Sequence, residues 1–177
     1  MTVSPLQAGA PAECSARARA SFDLLDSLGI SYHCLTHDAA DTMELCAAIS
    51  DALQVRICKN LFLCNRQQTA FYLLSMPEDK PFYTKVLSHQ IGSSRLSFAP
   101  PEKMEELLGC SPGSASVLGL ANDTAHSVHL IFDRETVEAE WFACHPCDNH
   151  ASLKLRTRDL LEVFLPHTGH TYDIVEL

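Results

Sequence analysis

The chain has 177 residues, 46% of them apolar and 20% charged, with a formal net charge of −9. That length and composition suit one folded domain with its own core and argue against disorder. No apolar run approaches the roughly 18 residues that span a bilayer, and the acidic excess argues against tight wrapping of duplex nucleic acid.

Residues 1–14 lack a basic start and an apolar centre, so they do not read as a secretory signal. Arg17 and Arg19 come too late for a mitochondrial presequence. The Pro, Ala, Gly and Ser content of 1–14 predicts a flexible tail, with the folded domain over 15–177. Next, Phe22, Leu24, Leu25 and Leu28 stand at near-helical spacing, and Gly29 is a natural stop. Residues 30–35 alternate apolar and polar, as a strand does. Asp41 or Thr42 caps a helix that runs to Leu53 with Leu45, Cys46, Ile49 and Leu53 on one face. Residues 58–64 and 69–75 form a β-hairpin around Asn65-Arg66-Gln67-Gln68. A short helix over 82–90 stops near Gly92, and 95–98 is a short strand. Pro100 or Pro101 opens a helix that Gly109 ends. Strands follow at 115–120, 128–133, 141–144 and 151–155. Thr157 caps a helix to Leu165, and 172–175 is a last strand. Hairpins among interleaved helices predict an α+β fold: a mixed, mostly antiparallel, curled sheet covered by helices.

The eight cysteines sit mostly in apolar periodic segments, as Cys34, Cys46, Cys58 and Cys64 do. Free cysteine packs as a small hydrophobe, so the pattern predicts a reducing, cytoplasmic setting rather than a disulfide framework. The charge is unevenly spread. Residues 1–51 carry two basic and seven acidic side chains, 52–103 seven and three, and 104–177 four and twelve, so the sums are −5, +4 and −8. A small basic face on an acidic body suits a transient, salt-sensitive contact with the end of a nucleic acid.

Three blocks carry chemistry. In Ile57-Cys58-Lys59-Asn60-Leu61-Phe62-Leu63-Cys64 an ammonium stands at the mouth of an apolar strand. Burying it unpaired costs several kcal/mol, so Lys59 either snorkels to solvent or meets an anion. The plain reading is a solvated surface lysine; Asn60 beside it is a hydrogen-bonding candidate. In Gly109-Cys110-Ser111-Pro112-Gly113-Ser114 the plain reading is a helix stop and turn. The functional one is a turn whose backbone N–H groups face a ligand, glycine allowing close approach. In His145-Pro146-Cys147-Asp148-Asn149 the histidine precedes a proline and so sits in extended backbone. Such a junction histidine is more often structural. Cys144 and Cys147 also make a Cys-x-x-Cys pair, but zinc needs two more ligands, and His33, Cys34 and His37 would make only an improvised set. A redox pair should open a helix, whereas the residues after Cys147 lead into a strand. There is no Gly-x-Ser-x-Gly elbow, Walker loop or dinucleotide fingerprint. No cofactor is expected.

These blocks, in this order, together with Ile91-Gly92-Ser93-Ser94-Arg95-Leu96-Ser97-Phe98 and Gly119-Leu120-Ala121-Asn122-Asp123-Thr124, resemble the YbaK/prolyl-tRNA-synthetase-associated family of editing domains. The resemblance runs from about Ala20 to the C-terminus and is nearest the freestanding branch that hydrolyses alanine mischarged onto proline tRNA. It implies a YbaK-like α+β fold, a metal-independent aminoacyl-tRNA deacylase, the acceptor end of mischarged tRNA as partner, and prolyl-tRNA synthetase as a further one. The Lys-Asn-Leu-Phe-Leu context implies a substrate-contacting Lys59 with Asn60 beside it. The turn that starts at Gly109 and reaches Pro112 implies that Gly109, Pro112, Gly113 and Ser114 border the aminoacyl pocket. The His-Pro-x-x-Asn block implies that His145 and Asn149 line it, His145 shaping substrate choice, positioning water or acting as a base. Asn122 joins the substrate-binding set from the Gly-Leu-Ala-Asn-Asp block. Removal of cysteine or another small amino acid is an open alternative within the class. A non-catalytic tRNA- or synthetase-binding module, or a zinc-stabilised interaction domain, is an alternative outside it. Two departures touch the pocket rim: Cys144 stands where relatives often carry an aromatic residue, and His150 follows Asn149 where a small or acidic residue is expected.

Overall fold

Local capping chemistry sets most boundaries in the computed structural model, which describes residues 2–40 and 42–177. A short strand β1 (Gln7–Ala8) precedes helix α1 (Ala16–Ser27), whose first turn is capped by the Ser15 hydroxyl accepting from the Ala18 N–H at 3.2 Å. After strand β2 (Tyr32–Thr36) comes helix α2 (Met43–Leu53), capped by Thr42, whose side chain accepts from the Leu45 N–H. Asp41, the alternative cap, lies outside the described residues. At the far end of α2 the buried Lys154 ammonium donates to the Leu53 carbonyl at 2.5 Å, a cation placed where the helix dipole favours one.

Strands β3 (Cys58–Asn65) and β4 (Phe71–Pro77) form the expected antiparallel hairpin, with Lys59 opposite Met76 and Asn60 opposite Ser75. Helix α3 (Thr84–Gln90), strand β5 (Leu96–Phe98) and helix α4 (Pro101–Leu108) follow, α4 ending in a left-handed Gly109. Then come strand β6 (Val128–Asp133), the short helix α5 (Arg134–Glu138), β7 (Trp141–Cys144), β8 (Ala151–Arg156), a helical run over 157–168 with a π-turn at Leu160–Phe164, and β9 (Tyr172–Val175).

The α+β class holds, but the strands divide between two sheets. One has the order β1-β2-β8-β7 and is antiparallel throughout; the other has the order β5-β3-β4-β6-β9, with β4–β6 and β6–β9 parallel. Inward side chains of both sheets share the main core, where Phe22, Phe62, Phe132, Phe142 and Phe164 are fully buried. A second cluster, with Leu87 of α3, covers the outer face of the mixed sheet, and a third, with Leu45, Ile49 and Leu53 of α2, covers the antiparallel one.

Four local expectations change. Residues 115–120 are not a strand: Val117–Asn122 is a 3-10 turn, capped by the Ser116 hydroxyl accepting from the Leu118 N–H, and a Cβ at Gly119 would lie 2.6 Å from the Leu108 carbonyl oxygen. An apolar run buried on all sides carries no period to read. Thr157 is not a cap; its hydroxyl is buried without a partner among the described residues. Helix α5 interrupts a stretch with no expected helix, since five residues are too short for helical spacing to show. The stretch expected as a loose tail runs along β2 instead. Ser4 N–H donates to the Thr36 carbonyl at 2.8 Å, Gln7 pairs with Cys34, and Val3 and Leu6 pack on the α2 cluster. Pairing a sheet edge satisfies backbone groups that composition alone does not reveal.

Candidate active site

At the start of β3 a cavity of about 320 Å³ brings together Lys59, Asn60, Gly113 and His145. Its apolar wall includes Ile49, Leu61, Phe62, Ala99, Met104 and Ala115. Strand alternation puts Asn60 on the Phe62 face and Lys59 on the Leu61 face; both line the cavity because it sits across the strand end. Phe98, on the edge strand β5, is 64% exposed and forms part of the rim.

Lys59 neither snorkels freely nor pairs with a carboxylate among the described residues. Its Nζ donates to the Glu78 carbonyl at 3.0 Å and to the Lys80 carbonyl. An ammonium has three protons, so one donor and the uncompensated charge remain for a ligand. The loop that offers those carbonyls is itself clamped. Lys80 Nζ sits 2.9 Å from Asp133 Oδ2 and 2.9 Å from Glu135 Oε1, and Arg56 reaches both Asp79 and Glu135. Lys80, then Arg56, hold Glu135 below the usual carboxylate range. Asn60 supplies the complementary feature: its Oδ1 is buried with no partner among the described residues, an acceptor waiting for a donor.

His145 is held by β8, its Nδ1 2.8 Å from the Ala151 carbonyl oxygen. A carbonyl only accepts, so Nδ1 carries the proton and Nε2 is the lone-pair nitrogen. Burial holds the ring below the usual imidazole range, and it is neutral at pH 7. Three cysteines also line the cavity, Cys46, Cys58 and Cys144. Burial pushes the Cys58 thiol up to about 11 and Cys144 higher still, so neither offers a thiolate nucleophile at neutral pH.

The remaining expected residues divide. Gly113, with φ +82, lines the cavity, and a Cβ there would sit 3.7 Å from Asn149 Nδ2, which places Asn149 just behind it. The Asn149 carbonyl accepts from the Ala40 N–H, tying the 145–149 loop to the segment after β2. Ser114 is fully buried and its hydroxyl sits 3.0 Å from the Cys147 carbonyl and 2.9 Å from that of Ser111; it fastens two loops together rather than facing the cavity. Pro112 is exposed and does not line the cavity. Gly109 and Asn122 line a different cavity of about 420 Å³. Asn122 Nδ2 donates to the Leu108 carbonyl at 3.0 Å, and a Cβ at Gly109 would come within 2.7 Å of that nitrogen. Their partnership is a helix C-terminus closed by a side chain. The Cys-x-x-Cys pair is split as well, Cys144 lining the first cavity and Cys147 the second. Among the described residues no three His, Cys, Asp or Glu side chains converge as a metal site. Glu78, Ser152 and Cys46 line the first cavity but carry no sequence signal, since each sits in an ordinary loop, strand or helix pattern.

Residues 37–163 match the aminoacyl-tRNA editing domain family. The chain is 34% identical over 153 residues to the prolyl-tRNA editing protein ProX of Acetoanaerobium sticklandii, covering 86% of this chain and 93% of that protein. It is 31% identical to prolyl-tRNA synthetase associated domain-containing protein 1 of Danio rerio, covering 84% of this chain and 81% of that protein. A crystal structure assigned to a candidate trans-editing enzyme for prolyl-tRNA synthetase superposes with a TM-score of 0.68 at 17% identity, over 93% of this chain and 98% of that one, a likeness of fold. No helix among the described residues is long and apolar enough to cross a membrane. With a family match over most of its length and a relative 34% identical over 86% of it, the chain belongs to the aminoacyl-tRNA editing domain family and is an aminoacyl-tRNA hydrolase.

Proposed function

We propose that this protein edits in trans, hydrolysing the ester of alanine mischarged onto proline tRNA, in the cytoplasm and in association with prolyl-tRNA synthetase. The observation that carries the reading is the single cavity holding a cation, an orphaned acceptor and a lone-pair imidazole nitrogen against apolar walls.

Each group has a task. The α-ammonium of an aminoacyl ester donates to Asn60 Oδ1. The Lys59 ammonium meets a phosphate or ribose oxygen of the terminal nucleotide, or the oxyanion that develops as the carbonyl becomes tetrahedral. Water attacks the carbonyl carbon, its proton going to His145 Nε2 or to a ribose hydroxyl. The C–O bond to the ribose breaks, and the proton returns to the leaving oxygen. The products are a free amino acid and a tRNA with an intact terminal hydroxyl. Gly113 borders the ester with backbone, which leaves room for close approach. The apolar wall answers a problem of discrimination: a proline-activating site gains only about 1–3 kcal/mol per methylene against a smaller competitor, so a second, smaller pocket is needed.

The test is deacylation of alanyl, cysteinyl, seryl and prolyl esters on proline tRNA. Alanyl ester should be cleaved fastest and prolyl ester spared. Lys59→Ala should lower kcat/KM for the alanyl ester by on the order of a hundredfold or more, with an unchanged circular dichroism spectrum. Wild-type turnover in that variant would remove Lys59 from the chemistry. Preference for the cysteinyl ester would move the protein to the neighbouring specificity, and tRNA binding without hydrolysis would make it a binding module.

A further inference from the structure

Behind His145 lies a row of polar groups that the reaction above does not use. Ser152, on β8, has its Oγ 3.2 Å from His145 Nδ1 and 2.9 Å from His37 Nε2. His37, just past β2, has its Nδ1 2.7 Å from the Asp38 carbonyl oxygen. The two imidazole rings stand 5.9 Å apart, and both His37 and Ser152 are buried. A buried histidine and a half-buried one joined by one hydroxyl need a reason, because each exchange of water for protein partners leaves polar atoms dependent on a single neighbour.

The proton positions in this row follow from chemistry alone. The Asp38 carbonyl only accepts, so the neutral His37 carries its proton on Nδ1 and offers a lone pair at Nε2. That lone pair takes the Ser152 hydroxyl proton. The Ser152 oxygen then has only lone pairs left for His145, which must present an N–H at Nδ1. The Ala151 carbonyl demands the same proton at the same atom. These four contacts agree on one direction, while the Ala151 carbonyl also lies against the His37 ring and favours its charged form.

We propose that His37 and Ser152 are positioning residues that hold His145 as its Nδ1–H tautomer, with Nε2 kept as the basic nitrogen of the editing cavity. The proposal rests on the assignment of the cavity to ester hydrolysis. Its physical content is that the hydroxyl is a one-way link. If His37 takes a second proton, its Nε2–H points at the Ser152 oxygen and the hydroxyl proton loses its acceptor. The oxygen then accepts from both rings and its own proton turns away, toward the cavity that Ser152 also lines, so the hydroxyl no longer fixes one direction along the row. Burial favours the neutral form of His37, as it does for His145, so the link is intact at neutral pH and is lost as the pH falls below the ordinary imidazole value. The other charged or titratable groups that face the pair are His150 and Asp148 of the same loop, Asp38 beside His37, and Lys59 and Glu78 across the cavity.

The experiment uses the full chain, with alanyl ester on proline tRNA and the variants Ser152→Ala, His37→Leu, His37→Gln and the double Ser152→Ala/His37→Leu. Ser152→Ala and His37→Leu should each lower kcat by about ten- to a hundredfold with KM changed less than about threefold, the range expected when an orienting partner is removed. The double variant should be no worse than the poorer single one, because both cut the same row. His37→Gln, which keeps an acceptor for the hydroxyl and cannot titrate, should recover most of the loss of His37→Leu and shift the acid limb of the kcat profile to lower pH. Multiplicative losses, or single variants with wild-type kcat and pH profile, would overturn the proposal. A second readout does not depend on turnover: nitrogen-15 spectra of the side chains should show His145 protonated at Nδ1 at pH 7.5 in the wild type. They should show it exchanging between tautomers in Ser152→Ala. An Nε2–H tautomer in the wild type overturns the proposal even if deacylation is robust; the expected tautomer in a protein that hydrolyses none of the esters upholds the row and sinks the functional reading instead.

Discussion

Gly109 and Lys59 look alike in a motif-level comparison, yet the physical demands on them differ. Gly109 has φ +61 and ends α4, with Asn122 folded over the last carbonyls of the helix. An L side chain there meets two penalties: the left-handed backbone, roughly 1–2 kcal/mol, and a Cβ only 2.7 Å from Asn122 Nδ2. Gly109→Ala should therefore lower unfolding stability by about 1–3 kcal/mol in urea titration while leaving KM for the charged tRNA unchanged. Adding Asn122→Ala should relieve the steric part and not the backbone part. A loss of turnover at unchanged stability would instead bring Gly109 into the cavity. The same contrast explains what could be read at this scale from letters alone. Lys59 stands out because an ammonium in an apolar frame needs a partner, Asn60 because it adjoins Lys59, and His145 because of its His-Pro-x-x-Asn setting. Ser152 does not, and His37 does so only as a weak zinc-ligand candidate, because a serine inside an alternating strand and a histidine after one look like ordinary surface positions until the strands pair.

At the scale of elements, the site depends on a loop that does no chemistry. Residues 78–80 hold Lys59 through two backbone carbonyls, and ion pairs hold the loop. The central carboxylate is Asp133: 0% exposed, bound to Lys80, and accepting from the backbone N–H groups of Glu135 and Leu177 at 3.0 Å each. Removing one partner of a buried pair strands the other, whereas half-exposed pairs contribute little. Asp133→Asn should lower stability by about 2–4 kcal/mol and reduce turnover as the Lys59 carbonyls shift. Glu135→Gln should change stability far less than Asp133→Asn does, because that carboxylate is half exposed and screened. Equal effects in the two variants would show that burial at Asp133 is not what holds the loop. Helix starts were legible in advance because Ser15 and Thr42 are local signals, and the hairpin because its two apolar runs flank a polar loop. The 3-10 turn, the split into two sheets and the pairing of the N-terminal stretch were not. Each depends on a partner distant in the chain, and no local spacing encodes that choice.

For the whole molecule the question is how a chain of net charge −9 approaches a polyanion. The basic face expected over 52–103 is smaller in three dimensions than in the sequence. Arg56 and Lys80 are neutralised by Asp79, Asp133 and Glu135, and Lys103 pairs with Glu106. Lys85 and Arg95 share a shallow cleft with Thr84 and Ser88, and have no ion pair among the described residues. Arg95 directly precedes β5, whose other end, Phe98, forms the rim of the editing cavity. A strand thus leads from a cationic cleft to the cavity, a path suited to an acceptor end whose last nucleotide enters while a few phosphates stay outside. Each phosphate neutralised contributes about 0.7–0.9 to the slope of log affinity against log salt. Two or three such contacts predict a slope near −2 for kcat/KM between about 50 and 200 mM salt, far shallower than duplex-wrapping proteins show. Lys85→Ala and Arg95→Ala should each flatten it by about 1, and Lys103→Ala, whose charge is already spent on Glu106, by much less. A slope unchanged in both would mean that the acceptor end arrives from another direction, over the acidic body, and that orientation would have to be enforced by a second protein.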